Sequence, residues 1–213
     1  MSSQKNIFLK SEANNFFLRN KIRLGNVDYK TDKLTAEVEK IINPKIKINI
    51  LEIGCCDAGM INYLDINYKN VKCYGVDPSD LSLKSQKNNR LVLKRATADN
   101  LPFRKNQFDI LIFNFCLYLC DTKYLINIIK EADRVLKKNS YLLIYDFYYN
   151  GIKYIKYKHK KNIYSRKMDF SKIFTWHPNY NLKKIKKFMH MGNNINFKNK
   201  KLNQTAVYIL KKN

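Results

Sequence analysis

The sequence predicts an α/β protein, a single domain on a seven-stranded, mostly parallel sheet with helices on both faces and a C-terminal β-hairpin edge. Short apolar runs rich in Ile, Leu, Val and Phe alternate with segments whose apolar residues recur at three- and four-residue spacing. A glycine-bearing turn, LEIGCCDAG (residues 51–59), overlaps the end of the first such run. The 213 residues, 45% hydrophobic, suffice for one full core and a cap but not comfortably for two domains.

In chain order, NIFLKSEANNFFLRNK (6–21) sets Phe8, Leu9, Phe16 and Phe17 among polar residues, as a short capping helix would. KLTAEVEKII (33–42) places Leu34, Val38, Ile41 and Ile42 at helical spacing, and Pro44, which has no amide to donate, ends it. IKINILEI (46–53) is short and mostly apolar, a buried strand, with a helix expected from about Ala58. VKCYGVD (71–77) is a second strand, after which Ser79 or Asp80 can cap a helix through Lys87. RLVLKRA (90–96), FDILIFNF (108–115) and YLLIYDFY (141–148) are strands three to five.

Before the fifth strand, Leu125, Ile128, Ile129, Ala132, Val135 and Leu136 share one face of a helix that Asp121 can cap and Asn139 and Ser140 break. Residues 149–190 lack clean periodicity until NLKKIKKFM (181–189), read as a basic amphipathic helix. INFKNK (195–200) and QTAVYIL (204–210) are strand-like and close enough to pair as the edge hairpin.

The net charge of +24 is uneven, because residues 151–213 hold 17 Lys and Arg against the single Asp169. A basic tail can bind phosphates through counterion release. The whole chain is also rich in Lys, Asn, Ile, Tyr and Phe, as an AT-rich genome encodes by default, and a solvated surface explains the charge equally well. No run approaches the roughly 18 apolar residues of a membrane span, and the first residues lack the apolar stretch of a signal peptide, so the expected location is cytoplasmic. The five cysteines lie in or beside apolar runs and are expected as free thiols. Cys116 and Cys120 face no second pair, and His159, His177 and His190 lack ligand spacing, so no metal site is expected.

Alternating strands and helices build a parallel sheet whose ligands sit at the strands' carboxyl ends. Glu52 ends strand one, Gly54 follows in the turn and Asp77 ends strand two, a spacing that fits one βαβ half. An acid there can accept hydrogen bonds from both hydroxyls of a ribose, or it can cap a helix. The full G-x-G-x-x-G fingerprint is absent, so a pyrophosphate cradle is not expected. After strand three, Ala98 can offer an amide and Asp99 a carboxylate to adenine, unless Asp99 bonds its own backbone.

In this order the motifs resemble those of the class I S-adenosylmethionine-dependent methyltransferases, in particular the small-molecule, type 11-like group, whose first motif runs acid-x-Gly-x-Gly-x-Gly. LEIGCCDAG matches at Glu52 and Gly54, YGVDPS at Asp77 with Pro78 beside it, and ATADNLPF at Ala98 and Asp99; FDILIFNFCLYLCD and EADRVLKKNSYLLIYDF follow. The resemblance implies a Rossmann-like fold and S-adenosylmethionine as cofactor. Glu52 would organise the turn near the methionyl ammonium, Gly54 would admit the backbone, and Cys55, Cys56, Asp57 and Ala58 would line it. Asn114 and Phe115 would face the methyl group and sulfur. Cys56 and Ala58 stand where that family usually has glycine; both are expected at negative φ, with Gly59 as a displaced substitute. The implied division is a single methyltransferase domain, with an N-terminal cap (1–43), a cofactor-binding core (44–148), a lid or insertion (149–190) and C-terminal strands (191–213).

IFLKSEANNFFLRN (7–20) and YSRKMDFSKIFTWHP (164–178) resemble, more loosely, a subgroup associated with sugar and surface-polysaccharide pathways. The expected function is methyl transfer to a small metabolite, a sugar or nucleotide-sugar intermediate, with an anionic acceptor suiting the basic tail. An RNA or DNA acceptor is the alternative, although no Pro-Pro-Tyr type of fourth motif is present. A non-catalytic scaffold retaining the fold is a third reading. Since a sulfonium already activates its methyl group, the protein has mainly to align a nucleophile and exclude water. A general base matters most for a hydroxyl acceptor. Tyr118, Asp146 and His177 are the candidates, with plainer roles open to them as core, strand-end cap and surface; Glu12 and Arg19 could also touch substrate.

Overall fold

Apolar residues on both faces of the central strands dictate a three-layer arrangement in the computed structural model, which describes residues 3–190 and 200–213. The cap comes first: α1 (Gln4–Ile7), a π-helical turn (Phe8–Glu12), α2 (Ala13–Gly25) and α3 (Lys33–Glu39). Asp32 caps α3, its carboxylate accepting from the amides of Leu34 and Thr35 at 3.0 and 2.9 Å. Then come β1 (Ile48–Ile53), α4 (Gly59–Asn67), β2 (Val71–Asp77), α5 (Asp80–Ser85), β3 (Val92–Arg95), β4 (Phe108–Asn114), α6 (Leu125–Val135) and β5 (Leu136–Tyr148). A separate two-stranded sheet, β6 (Lys153–Lys156) with β7 (Tyr164–Lys167), precedes α7 (Ser171–Thr175), β8 (Tyr180–Met189) and β9 (Gln204–Lys212).

The main sheet has the order β3-β2-β1-β4-β5-β9-β8. The first five strands pair in parallel, while β9 runs antiparallel to both β5 and β8. Six strands therefore share one direction. The order reverses between β1 and β4, and such a switch point opens a crevice beyond the carboxyl ends. Side chains alternate across the sheet: Leu51, Ile53, Leu111 and Phe113 pack towards α6 and α7, and Ile48, Ile50, Ile110 and Ile112 towards α3 and α4.

Residues 181–189 are not the expected amphipathic helix but most of β8, paired with β9. The register shifts between Leu182 and Lys184, so Lys183 is an extra residue that breaks the two-residue alternation. That slip makes Leu182, Ile185 and Phe188 look helical in the sequence. Lys184 and Lys186 donate to Glu37 at 3.1 and 2.6 Å, and lysines on an edge strand discourage pairing with another sheet. The outer partner of β9 is thus β8; the expected strand at 195–200 falls outside the described residues except for Lys200, which opens a short 3-10 turn.

Asp121 does not cap α6; its carboxylate accepts from the amides of Gln4 and Lys5 at 3.2 and 2.9 Å, capping α1 from a distance. The chain passes from α6 directly into β5, with Asn139 left-handed (φ 56°) inside the strand rather than breaking a helix. The cap lies across the strand ends: Arg95 donates to the carbonyl of Leu9 (2.6 Å) and Ser79 bonds Asn14 (2.7 Å). Among the described residues no helix is long and apolar enough to cross a membrane.

Candidate active site

A cavity of about 800 Å³ opens beyond the carboxyl ends of β1, β2 and β4, under the cap and against the loop after β6. Its floor is the turn after β1. The amides of Gly54 and Cys55 donate to the carbonyl of Val76 at 2.8 and 3.1 Å, and the Cys56 amide donates to Asp77 at 2.9 Å. The second Asp77 oxygen accepts from the Ser79 amide at 2.8 Å. Each oxygen keeps a lone pair for a further donor, which suits a ribose diol. Burial pushes Asp77 up to about 6, against the two amide bonds that favour its ionised form.

Left-handed residues alternate along this turn: Gly54 (φ 75°), Cys56 (φ 50°) and Ala58 (φ 59°). Negative φ at Cys56 and Ala58 was the expectation, and the structure overturns it. The chain must bend back onto Val76 and Asp77 before α4 starts, and alternating left-handed residues curl successive amides towards a common concavity. The three glycine positions of the motif are therefore conformational, and this chain fills two of them at a cost in strain. Gly54 answers to close packing as well, since a Cβ there would lie 2.6 Å from Cys116 Cβ. Gly59 is no displaced substitute: it is not left-handed, and its missing side chain makes room for the Tyr29 hydroxyl.

Glu52 is buried and lines the cavity; one oxygen accepts from the Asn114 side-chain amide at 2.9 Å and the other has no partner among the described residues. Burial pushes it up to about 8; Asn114 pulls the other way, and the charges of Asp57, Asp32 and Asp77 push further. A buried oxygen without a donor is costly, and a bound ammonium would satisfy it. Orphaned carboxylate, open lone pairs on Asp77 and a concave turn together fit a cationic nucleoside such as S-adenosylmethionine.

Pro78, Cys55, Asp57, Ala98 and Asp99 also line the cavity, whereas Ala58 is fully buried behind it. The Asp99 carboxylate bonds not its own backbone but Lys5 of the cap, at 2.6 Å. Phe115 is left-handed (φ 46°), and its ring meets those of Tyr145, Phe147 and His190 at 4.6, 5.4 and 6.0 Å.

Of the residues considered as a base, only Tyr118 lines the cavity, and burial holds its hydroxyl far above the ordinary tyrosine range. Asp146 is fully buried behind the wall, accepting from the amides of Tyr118 (3.1 Å) and Phe147 (2.7 Å). His177 sits away from the cavity beside Tyr180, its ring nitrogen accepting from the Asn179 amide at 3.3 Å. Glu12 and Arg19 lie outside too; they pair with each other and with the Tyr157 hydroxyl, stapling the cap to the loop after β6.

Sequence reasoning missed Phe8, Phe16, Arg23, Tyr157 and His190, all in the cavity wall. Reading 181–189 as a helix hid the fact that His190 follows a strand end. The five cysteines are free. Burial raises the thiols of Cys55 and Cys56, and a bond with Cys120 followed by burial raises that of Cys116, so these three remain unreactive thiols near neutral pH.

A family model described as a methyltransferase domain matches residues 51–144. No curated protein sequence gives a significant match. Among solved structures, the Burkholderia thailandensis 1,6-didemethyltoxoflavin-N1-methyltransferase, with bound 1,6-didemethyltoxoflavin and S-adenosylhomocysteine, aligns at a TM-score of 0.68 and 11% identity, covering 100% of this chain and 91% of that one. An S-adenosylmethionine-dependent methyltransferase of Methanosarcina mazei aligns at 0.66 and 16% identity, over 83% of this chain and 96% of its own. Another, from Mesorhizobium loti, aligns at 0.64 and 8%, over 87% and 100%. At these identities the likeness is one of fold, and it is the domain match over residues 51–144 that turns fold into chemistry: that stretch is similar to a methyltransferase domain, and the protein is an enzyme whose cofactor is S-adenosylmethionine.

Proposed function

We propose that the enzyme methylates a small metabolite, a sugar or nucleotide-sugar intermediate, held between the N-terminal cap (1–43) and the lid (149–190), and that it does so in the cytoplasm, where its cysteines stay reduced. Lining residues from both cap and lid are the observation that carries this reading. The cap supplies Phe8, Phe16 and Arg23 to the cavity and the lid supplies Tyr157 and His159, so the space between them suits a compact acceptor. Aromatic rings suit the apolar face of a sugar, and Lys5 and Arg23 suit a phosphate or carboxylate.

The donor supplies a methyl group on a sulfonium, ready for displacement. In this reading Asp77 holds the ribose and Glu52 faces the ammonium. The amides of residues 54–58 lie along the methionyl part, and Asp99 and Ala98 meet the adenine. Asn114 fixes Glu52, while the rings of Phe115 and Tyr118 exclude water and narrow the acceptor's approach to the line of attack.

The test has two stages: calorimetric titration of S-adenosylmethionine and S-adenosylhomocysteine, then transfer from labelled donor to nucleoside diphosphate sugars and, in parallel, to RNA. Micromolar donor binding with label on a sugar nucleotide supports the proposal. Label on RNA, with a steep loss at higher salt, overturns the metabolite reading. No donor binding by the folded protein overturns the whole assignment.

A further inference from the structure

His190 stands where the topology sends ligand-facing groups. Because β8 shares the direction of the parallel strands, its carboxyl end at Met189 reaches the same rim as those of β1, β2 and β4, and His190 follows at once. The imidazole is half-buried in the cavity wall, its centroid 6.0 Å from that of Phe115 and 5.2 Å from that of Phe147. Phe115, whose ring His190 meets, directly follows Asn114, which bonds Glu52 at the turn after β1.

Among the described residues, no other titratable group on this wall suits proton removal as well. The Tyr118 hydroxyl holds its proton, both Asp146 oxygens are committed to backbone amides, and His177 lies elsewhere. His159 is exposed, on the loop between β6 and β7.

Resting on the donor reading above, we propose that His190 is the general base of the transfer, taking the proton from an acceptor hydroxyl or amine. The acceptor's lone pair forms the new bond to the methyl carbon, the carbon–sulfur bond breaks, and its electron pair stays on sulfur as a neutral thioether. The acceptor proton passes to the imidazole and leaves as water enters with product release. The charged groups facing the ring are Lys167 of β7, Arg23 of α2 and Lys33 of α3, and Lys167 in turn feels Asp146. Burial first, then these cations, holds the imidazole below the ordinary histidine value, so it is neutral and proton-accepting at pH 7.

The test needs no acceptor. S-Adenosylmethionine and S-adenosylhomocysteine differ by the methyl group and one positive charge, so the imidazole C–H signals of histidine-labelled protein are titrated against pH with each bound. His190→Gln identifies the His190 signal, and cooperative thermal unfolding of that variant shows that it folds. A cation within about 8 Å should lower the His190 midpoint by about half a unit or more with the sulfonium ligand relative to the thioether. His177, which lies away from the cavity, should titrate alike with both. If both ligands bind and His190 titrates identically, the reacting sulfur is not beside it and the proposal falls. If calorimetry shows that neither ligand binds, the donor reading fails, and the base assignment fails with it.

Discussion

The half of the cavity that we assign to the donor comes from strand ends and the turns directly after them: Glu52, Gly54, Asp77, Asp99 and Asn114, all between residues 52 and 114. The opposite half comes from scattered chain: Phe8, Phe16 and Arg23 of the cap, Tyr118 after β4, Tyr157 of the lid and His190 after β8. Strand ends are held by backbone ladders on either side, so a donor site made there changes little when side chains change. Cap and lid are held by a few side-chain contacts, Glu12 with Arg19 and Tyr157, Lys5 with Asp99, Gln4 with Leu119. On our assignment, the fold fixes the donor rigidly and leaves the acceptor site to segments that can vary.

If that contrast holds, the largest loss of donor affinity follows removal of Asp77. Asp77→Ala deletes the acceptor for both ribose hydroxyls and frees the amides of Cys56 and Ser79. Hydrogen bonds to a charged group contribute about 1.5–3 kcal/mol each, so calorimetry should show donor affinity falling by about a hundredfold or more. A loss below about threefold would mean that the ribose is held elsewhere.

Glu52→Gln should come next, at about tenfold in donor affinity, and it carries a pH signature. The folded protein keeps a proton on Glu52 up to about 8, whereas the unfolded chain releases it near the ordinary 4.5. Within that window the folded state binds more protons, so stability falls as pH rises, by up to a few kcal/mol for this group. The amide can still accept from Asn114 without that penalty. Thermal midpoints of the variant should therefore exceed those of the parent at about pH 8.5 and converge with them at about pH 5. A constant offset at every pH would show that Glu52 ionises normally.

The strand ends that line the cavity were legible in the sequence because each sits at the end of an apolar run, and runs of that kind announce themselves. The lid and cap contacts were not. Arg19 meets Tyr157 across 138 residues, and no local pattern encodes that pairing. At β8, a single extra lysine disguised a strand as a helix and concealed His190. The left-handed turn was misjudged for another reason: small side chains at Cys56 and Ala58 pointed to relaxed backbone, whereas the bond from Cys56 to Asp77 demands the conformation regardless of residue type.

Arg19→Ala addresses the weaker-held half. Among the described residues it leaves the buried Glu12 with the Tyr157 hydroxyl alone, loosening cap from lid. Arg19 is about one-third exposed, so the cost to stability should stay near 1 kcal/mol. Hydrogen exchange should quicken in the cap and in residues 153–167, with donor affinity changed by less than about threefold. A tenfold or greater loss of donor affinity would mean that the cap is part of the donor site.

The smallest effects belong to the strained turn itself, where the two left-handed residues should respond differently to glycine. A non-glycine residue in this conformation costs about 1–2 kcal/mol, and glycine returns about 0.5–1 kcal/mol of that through greater freedom in the unfolded chain. Cys56 is half-buried at the cavity wall, so Cys56→Gly should raise stability by about 0.5 kcal/mol while its amide still donates to Asp77 and donor affinity holds. Ala58 is fully buried among the side chains facing α3 and α4. There the lost methyl group costs about 0.8 kcal/mol of burial, and Ala58→Gly should leave the thermal midpoint nearly unchanged. The two midpoints, measured side by side, separate backbone relief from packing. A fall in both stability and donor affinity for Cys56→Gly would show that the thiol itself contributes to the site, and the turn would then no longer be a matter of backbone alone.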